Sequence, residues 1–290
     1  MLRSEKQRSQ LLLRASKHGP ERVVSLAQKA VVGEPDPAFE DGDGGYADWV
    51  IVVIHGLREY LDHTYRRLLD VLHEMHGIVA QLDLAVAELP DFTTVCTRKQ
   101  DLEMRIWRIL SRLSAEVHDL GDVQAIDATG MDRIAASQHY AKRTNYTFEA
   151  VKTTLLSDCK TGAILDIHCS MKQPHDSKIG WQMVKRNLDK LNILTADKGY
   201  DWWLLRQRLR AEGVKPVIKY REFGWHGIAN NLLQDDTIYH QRSNAESTFF
   251  ALRRKYGEIV RARTWFGQFR ELVLKCAVRN IELSVSHPRP

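Results

Sequence analysis

The sequence lacks several features that mark large protein classes. It has no run of about 18 apolar residues, the length at which a segment is read as a membrane-spanning helix. Its N-terminal leucine run is not followed by the small-residue cleavage site of a secretory signal. Its four cysteines lie far apart, with no Cys-x-x-Cys pair, which argues against a disulfide framework or a zinc ribbon. We therefore expect a protein of the reducing cytoplasm with no membrane partner.

Several common kinds of functional motif are also missing. Neither a Gly-rich phosphate-binding loop nor a Ser-His-Asp order stands out. The Asp- and Gly-rich segment 41–45 lacks the evenly spaced oxygen ligands and the closing Glu of a calcium loop. These absences turn attention to the charged residues.

Positive charge is the compositional feature that points to a partner. The formal net charge is +5 and the isoelectric point about 9.0. A basic surface gains affinity for polyanions because it releases counterions from phosphates. Between Arg242 and Arg270, Lys and Arg greatly outnumber Asp and Glu. This stretch is therefore the first candidate for a nucleic-acid contact.

The pattern of apolar residues divides the chain near residue 120. Residues 1–120 show helical spacings, interrupted by a Pro- and Gly-rich linker at 34–46, with Asp91 or Thr93 as the N-cap of a helix over about 97–114. Short helices joined by such a turn suit a helix-turn-helix-like region that binds DNA, but ordinary helical bundles show the same pattern. Residues 121–290 form the second predicted domain.

The second half predicts an α/β fold. Val123, Ala125 and Asp127 alternate as in a strand, and two β-rich segments joined through Gly162 predict a hairpin. The predicted order is β-β-β-α-β-α-β-α, a mixed sheet with flanking helices. Segment 221–238 is predicted to be irregular.

Three acids lie at the ends of predicted elements. Asp127 lies within or at the end of the first strand, Asp197 ends the strand 193–196, and Glu246 lies one turn into a helix. Three carboxylates can hold two magnesium ions for an in-line displacement at a phosphodiester. Acids also occur at strand ends in many α/β domains, so this pattern alone leaves a structural role open.

The residues around these acids make the pattern more specific. Tyr239, Arg242, Glu246 and Arg253 fit the spacing Tyr-x2-Arg-x3-Glu-x6-Lys, with Arg in the place of the last Lys. Together with segments 125–131 and 195–201, this motif resembles the DDE transposases of insertion sequences, in the broad group that contains insertion sequence families four and five. The resemblance spans roughly residues 50–285.

The resemblance implies both a fold and a chemistry. It implies an RNase H-like catalytic domain over 121–290 that uses Mg²⁺ or Mn²⁺, as two ions held by Asp127, Asp197 and Glu246. The implied partners are DNA, as terminal inverted repeats and target, and a second copy of the chain in the synaptic complex. The implied location is the nucleoid of a prokaryotic cell.

Basic residues near the motif are the expected DNA contacts. Since Arg is a planar fork and Lys a point charge, Arg253 changes the geometry of the last cation. Asp176 is expected to cap a helix, with a catalytic contribution as the alternative. The residues predicted to bind DNA or phosphate are Tyr239, Arg242, Arg253, Arg254, Lys255, Lys142 and Arg143.

The resulting functional hypothesis is a transposase that cuts at the ends of an insertion sequence and transfers the cut strand into target DNA. One alternative is an RNase H-like nuclease that cleaves without joining. The other is a non-catalytic DNA-binding remnant or regulator, although all three acids are present.

Overall fold

The chain forms two compact units. The computed structural model describes residues 5–31, 38–40, 45–133, 150–172 and 174–286. One unit comprises Met1–Val117 with Val273–Pro290, and the other comprises His118–Leu272. The sequence had suggested a boundary after residue 120, with every later residue in the α/β part. The end of the chain instead belongs with the helical unit, where Asn280 Nδ2 donates to Ser114 Oγ at 3.1 Å.

The helical unit is built on a buried apolar helix. The run from Trp49 to Ile54 is almost wholly buried in α2, which packs against α1, because a helix that is apolar on all sides must be enclosed. Two short strands, β1 (Phe39–Glu40) and β2 (Gly45–Tyr46), pair within the predicted linker. The helices are α1 (Glu5–Ala30), α2 (Asp48–Tyr60), α3 (Tyr65–Glu74), α4 (His76–Gln81), α5 (Phe92–Asp101) and α6 (Met104–Glu116).

One helix predicted in this unit is divided in the structure. The segment predicted as one helix over about 97–114 is two helices, because Leu102 takes an extended backbone conformation between α5 and α6. The N-cap prediction at Asp91 is confirmed, since its Oδ1 accepts from Thr93 N at 2.8 Å.

The α/β unit alternates strands and helices in the predicted order. Gly162, with φ of +71°, closes the predicted hairpin between β4 and β5. The strands are β3 (Val123–Arg133), β4 (Val151–Asp158), β5 (Ile164–Ser170), β6 (Ile193–Ala196), β7 (Lys215–Ile218) and β8 (Ile259–Val260). The helices are α7 (Asp176–Arg186), α8 (Trp203–Ala211), α9 (Trp225–Leu232), α10 (Asp236–His240), α11 (Ser243–Tyr256) and α12 (Trp265–Ser286), whose last residues lie in the helical unit.

The sheet has β3 at its centre. The strand order is β5-β4-β3-β6-β7, and β8 pairs with the far end of β3. The three consecutive strands β3, β4 and β5 are antiparallel, whereas β6 and β7 run parallel to β3. The predicted fold class, an RNase H-like mixed sheet with flanking helices preceded by a helical part, is confirmed.

Each face of this sheet is covered by helices. On one face an apolar core that includes Ile126, Leu156 and Leu194 packs against α7 and α8. On the other face α11 packs on β3 and β4 through the side chains of Ala245, Phe249 and Leu252. None of the described helices combines the length and apolar character needed to cross a membrane.

The prediction of irregular structure for 221–238 was wrong. This segment contains α9 and the start of α10. In α9 the residues Trp225, Ile228 and Leu232 have helical spacing, but they are exposed. The helix therefore presents its apolar face to solvent, unlike an ordinary surface helix.

Candidate active site

The strand register brings two of the three acids together. β3 and β6 are parallel neighbours, and Ile126 is paired with Ala196. Asp127 and Asp197 each follow that pair, at the same level of the sheet. Neighbouring strands lie about 4.8 Å apart, so two carboxylates that are distant in the chain become adjacent.

The third acid is carried by the helix that covers this part of the sheet. Successive side chains of a strand point to opposite faces, and Ile126 belongs to the core beneath α7. Asp127 therefore points to the α11 face. Glu246 lies in the first turn of α11, and its side chain is 55% exposed, so it borders the site without being enclosed.

The electrostatics of Asp127 show that the acids share one environment. Burial, followed by the negative charges of Asp197 and Glu246, raises the pKa of Asp127 to about 6. The Ala128 backbone N–H and the positive charge of Arg242 act in the opposite direction. Like charges close together oppose each other's ionisation. A cation at this position would relieve that repulsion.

Residues of the Tyr-Arg-Glu motif form a contiguous cluster. Arg242 Nη1 donates to Glu246 Oε1 at 2.6 Å, as an i, i+4 ion pair at the start of α11. The Arg242 guanidinium also lies 5.4 Å from the ring centre of Tyr239. The structure thus places Tyr239, Arg242 and Glu246, the three residues linked by the motif spacing, in one cluster.

The loop after β6 holds Asp197 by local hydrogen bonds. Asp197 Oδ1 accepts from Gly199 N at 2.8 Å, within a 3-10 turn over Lys198–Tyr200. Asp201 accepts from Arg206 Nη2 at 2.9 Å and from Arg221 N at 2.7 Å. Because Arg206 is only 3% exposed, this buried ion pair anchors the end of the loop.

A fourth carboxylate, Asp176, lies beside this loop. A side chain added at Gly199 would come within 2.9 Å of Asp197 Oδ1 and 3.4 Å of Asp176 Oδ2. Asp176 also forms an ion pair of 2.6 Å with Lys152. Tyr200 is buried, and its pKa is raised well above the ordinary value by burial and then by Asp176, Asp127 and Asp197. Asp176 therefore belongs to the surroundings of the site.

The expected capping role of Asp176 was wrong. The cap of α7 is His175, whose side chain accepts from Ser177 N. No local pattern places Asp176 beside Asp197, because that proximity depends on how α7 packs near the end of β6.

The remaining predicted cations have different surroundings. Arg253 Nη2 donates to the Thr129 hydroxyl and to the Gly130 carbonyl, so it contacts β3. Arg254 and Lys255 are exposed at the end of α11. Lys142 and Arg143 lie outside the described residues, and their predicted role stays a prediction.

The three acids are of the ligand type that a divalent metal prefers, although their side chains are not arranged around a metal position. Among the described residues, no group of three or more His, Cys, Asp or Glu side chains is arranged to hold a metal ion. Glu246 is paired with Arg242 instead. Even so, carboxylate oxygens are the ligands that Mg²⁺ prefers, and the charges of Asp197 and Glu246 both act on Asp127.

Residues 119–281 match the family described as "Transposase DDE domain", which is more than half of the chain. This protein belongs to that family. The family match covers the strands and helices that carry Asp127, Asp197 and Glu246. No curated protein matches this chain.

Comparison with solved structures finds remote likenesses to other transposases. A piggyBac transposase synaptic complex with hairpin DNA is 10% identical, with 95% of this chain and 74% of that chain covered and a TM-score of 0.44. A Mos1 transposase paired-end complex with left transposon end is 10% identical, with coverage of 73% and 82% and a TM-score of 0.23. The assignment to the DDE transposases rests on the family match.

Proposed function

We propose that this DDE transposase cleaves DNA at the ends of an insertion sequence and joins the freed 3′-hydroxyl to target DNA. The observation that carries the proposal is the convergence of Asp127, Asp197 and Glu246 from two neighbouring strands and the helix above them. The same site would serve both steps. In the first step water attacks the phosphorus at the element end, and the 3′-hydroxyl leaves while the other side keeps a 5′-phosphate. In the second step that 3′-hydroxyl attacks a phosphodiester of the target DNA and displaces the target's 3′-oxygen, so one phosphodiester bond replaces another without an external energy source.

We infer that these three acids hold two divalent ions, Mg²⁺ or Mn²⁺. When bound, such ions stabilise a leaving oxygen and make a water molecule or a 3′-hydroxyl a stronger nucleophile. The protein holds the three carboxylates at fixed positions on a strand, a strand end and a helix. The partial burial of Asp127 strengthens its interaction with any cation, since the local dielectric constant is lower than that of water.

Arg242 is proposed to act on both Glu246 and the DNA. In the protein alone its guanidinium neutralises Glu246 at 2.6 Å. A guanidinium has five N–H donors, so it can keep one contact with Glu246 and offer others to a phosphate. Tyr239 restricts its position from one side. Arg254 and Lys255 continue the basic surface, and Lys142 and Arg143 are proposed to extend it.

Two copies of the chain are proposed to synapse the two element ends. The face of α9 supports a protein contact, because Phe223, Trp225, Leu232 and Leu233 are 81–90% exposed. Charged side chains around this face are paired, including Lys198 with Glu222 and Lys219 with Asp236. A neutral apolar surface favours a protein partner over a polyanion.

The helical unit is proposed to recognise the terminal inverted repeats. Arg66 and Arg67 are exposed near the start of α3, where they are available for phosphates. We place this activity at the nucleoid, in the cytoplasm of a prokaryotic cell, where the element and its target lie.

An excision assay tests the proposal. A marker flanked by the element's own ends is supplied with wild-type protein or with Asp127→Asn, which removes a charge but little volume. We expect the marker to leave its site and appear elsewhere with the wild type only. Cleavage without joining would favour the nuclease, and end binding without cleavage by either protein would favour a non-catalytic binding protein. Excision by both proteins would overturn the assignment of Asp127.

A further inference from the structure

Arg253, the last residue of the motif, lies against the strand that carries Asp127. Its Nη2 donates to the Thr129 hydroxyl and to the Gly130 carbonyl, the latter at 2.6 Å. The side chain is partly buried, and within the described part of the chain its buried Nε has no hydrogen-bond partner. The guanidinium is therefore committed to the protein instead of being extended toward solvent.

The lengths of helix and strand explain what this contact does. From Glu246 to Arg253 there are seven helical residues, or roughly 10 Å at 1.5 Å per residue. From Asp127 to Gly130 there are three strand residues, also roughly 10 Å at about 3.3 Å per residue. With equal spans, the contact of Arg253 at one end of α11 places Glu246 opposite Asp127 at the other end.

We propose that Arg253 is a positioning residue that fixes α11 along β3 and thereby sets the separation between Glu246 and Asp127. The proposal rests on the proposed function, because this separation matters only if the two acids share metal ions. In this proposal Arg253, the last cation of the motif, contacts the protein and not the DNA. Arg254 and Lys255 are the residues proposed to contact DNA phosphates.

The replacement of Lys by Arg fits this role. A guanidinium is planar and rigid, so hydrogen bonds to two acceptors fix the direction of the side chain. A Lys ammonium is a strongly hydrated point charge on a flexible stem, and its donors rotate freely. Lys would hold the two β3 acceptors less firmly than Arg holds them.

Mn²⁺ binding to the DNA-free protein gives the first test, by titration calorimetry on the full chain. Loss of a group that orients metal ligands costs about 10- to 100-fold in metal affinity, so Arg253→Ala should weaken Mn²⁺ binding by about 10-fold. Thr129→Val, which removes one acceptor and little volume, should also weaken it. The double variant should lose less than the product of the two single effects, because both changes break one contact.

The salt dependence of DNA binding separates positioning from phosphate contact. Loss of a phosphate contact lowers the slope of log affinity against log salt by about one. Arg253→Ala should leave this slope unchanged. The neighbouring exposed Arg254 is the matched control, and Arg254→Ala should show the opposite pattern: a reduced slope with unchanged Mn²⁺ affinity.

The outcomes distinguish this proposal from the proposed function. Unchanged Mn²⁺ affinity with a reduced salt slope in Arg253→Ala would overturn the positioning role, while Asp127-dependent cleavage could still stand. Absence of Asp127-dependent Mn²⁺ binding in the wild type would overturn both. If Arg253→Ala fails to fold, Arg253→Lys and Thr129→Val carry the test. Full Mn²⁺ affinity in both of those would refute the proposal.

Discussion

Replacement of Asp127 by Asn should make the metal-free protein more stable at neutral pH. Asp127 ionises in a partly buried position beside Asp197 and Glu246, so its charge opposes folding when no cation is present. Asn has nearly the same shape and carries no charge. The substitution therefore removes an electrostatic penalty while it removes the proposed metal ligand.

The direction and size of the effect follow from the pKa. The pKa of Asp127 is about 6 in the folded protein, against 3.8 for an ordinary Asp. Because the folded state holds the proton more tightly, stability is lost as the pH rises from 3.8 through about 6. At 1.36 kcal/mol per pKa unit this gap corresponds to roughly 3 kcal/mol, which solvent screening of a partly exposed carboxyl reduces to about 1–2 kcal/mol.

Chemical denaturation of wild type and Asp127→Asn, without divalent ions, measures this difference. We expect nearly equal stability at pH 4 and an excess of about 1–2 kcal/mol for the variant at pH 8. Asp132→Asn, at an exposed position of the same strand, serves as the control and should behave as the wild type. Added Mn²⁺ should stabilise the wild type only, because binding to the folded state shifts the equilibrium. A variant no more stable than the wild type at pH 8 would refute the reasoning.

Three further results are expected. Arg242→Ala should lower single-turnover cleavage of supplied element ends by about 10- to 100-fold, since it loosens Glu246; unchanged turnover would count against this role. Affinity for element ends should fall steeply between about 50 and 200 mM salt, and a flat profile would contradict a phosphate-dominated interface. Asp201→Asn should destabilise the fold by about 2–3 kcal/mol, because it leaves the buried Arg206 without its counter-charge; a denaturation curve like that of the wild type would argue against that pairing.

Much of the α/β unit could be predicted because its signals are local. The alternation that ends at Asp127 and the turn at Gly162 each depend on a few neighbouring residues. The segment 221–238 was missed for a different reason. The apolar face of α9 points to solvent. Trp225 and Leu232 therefore do not pack into a core, as the apolar residues of an amphipathic helix normally do.

The candidate site was predictable in its acids but not in its supporting contacts. Asp127 and Asp197 could be chosen because each follows a short apolar run, although β3 continues past Asp127 to Arg133. The contact of Arg253 with Gly130 could not be foreseen, since it depends on how a helix lies along a strand from a distant part of the chain. The capping role of Asp176 was wrongly predicted because α7 already begins at Asp176, and the preceding His175 is its N-cap.

The pairing of β3 with β6 has a consequence for chain length. Asp127 and Asp197 are 70 residues apart in the chain (197 minus 127), yet their separation in space is fixed by the distance between neighbouring strands. The hairpin and helix between them can therefore gain or lose residues at exposed turns without moving either acid, provided that the two strands stay paired. The number of residues between the acids can therefore differ while the site is kept. The order of the acids, together with the strands that carry them, identifies such a site better than their spacing does.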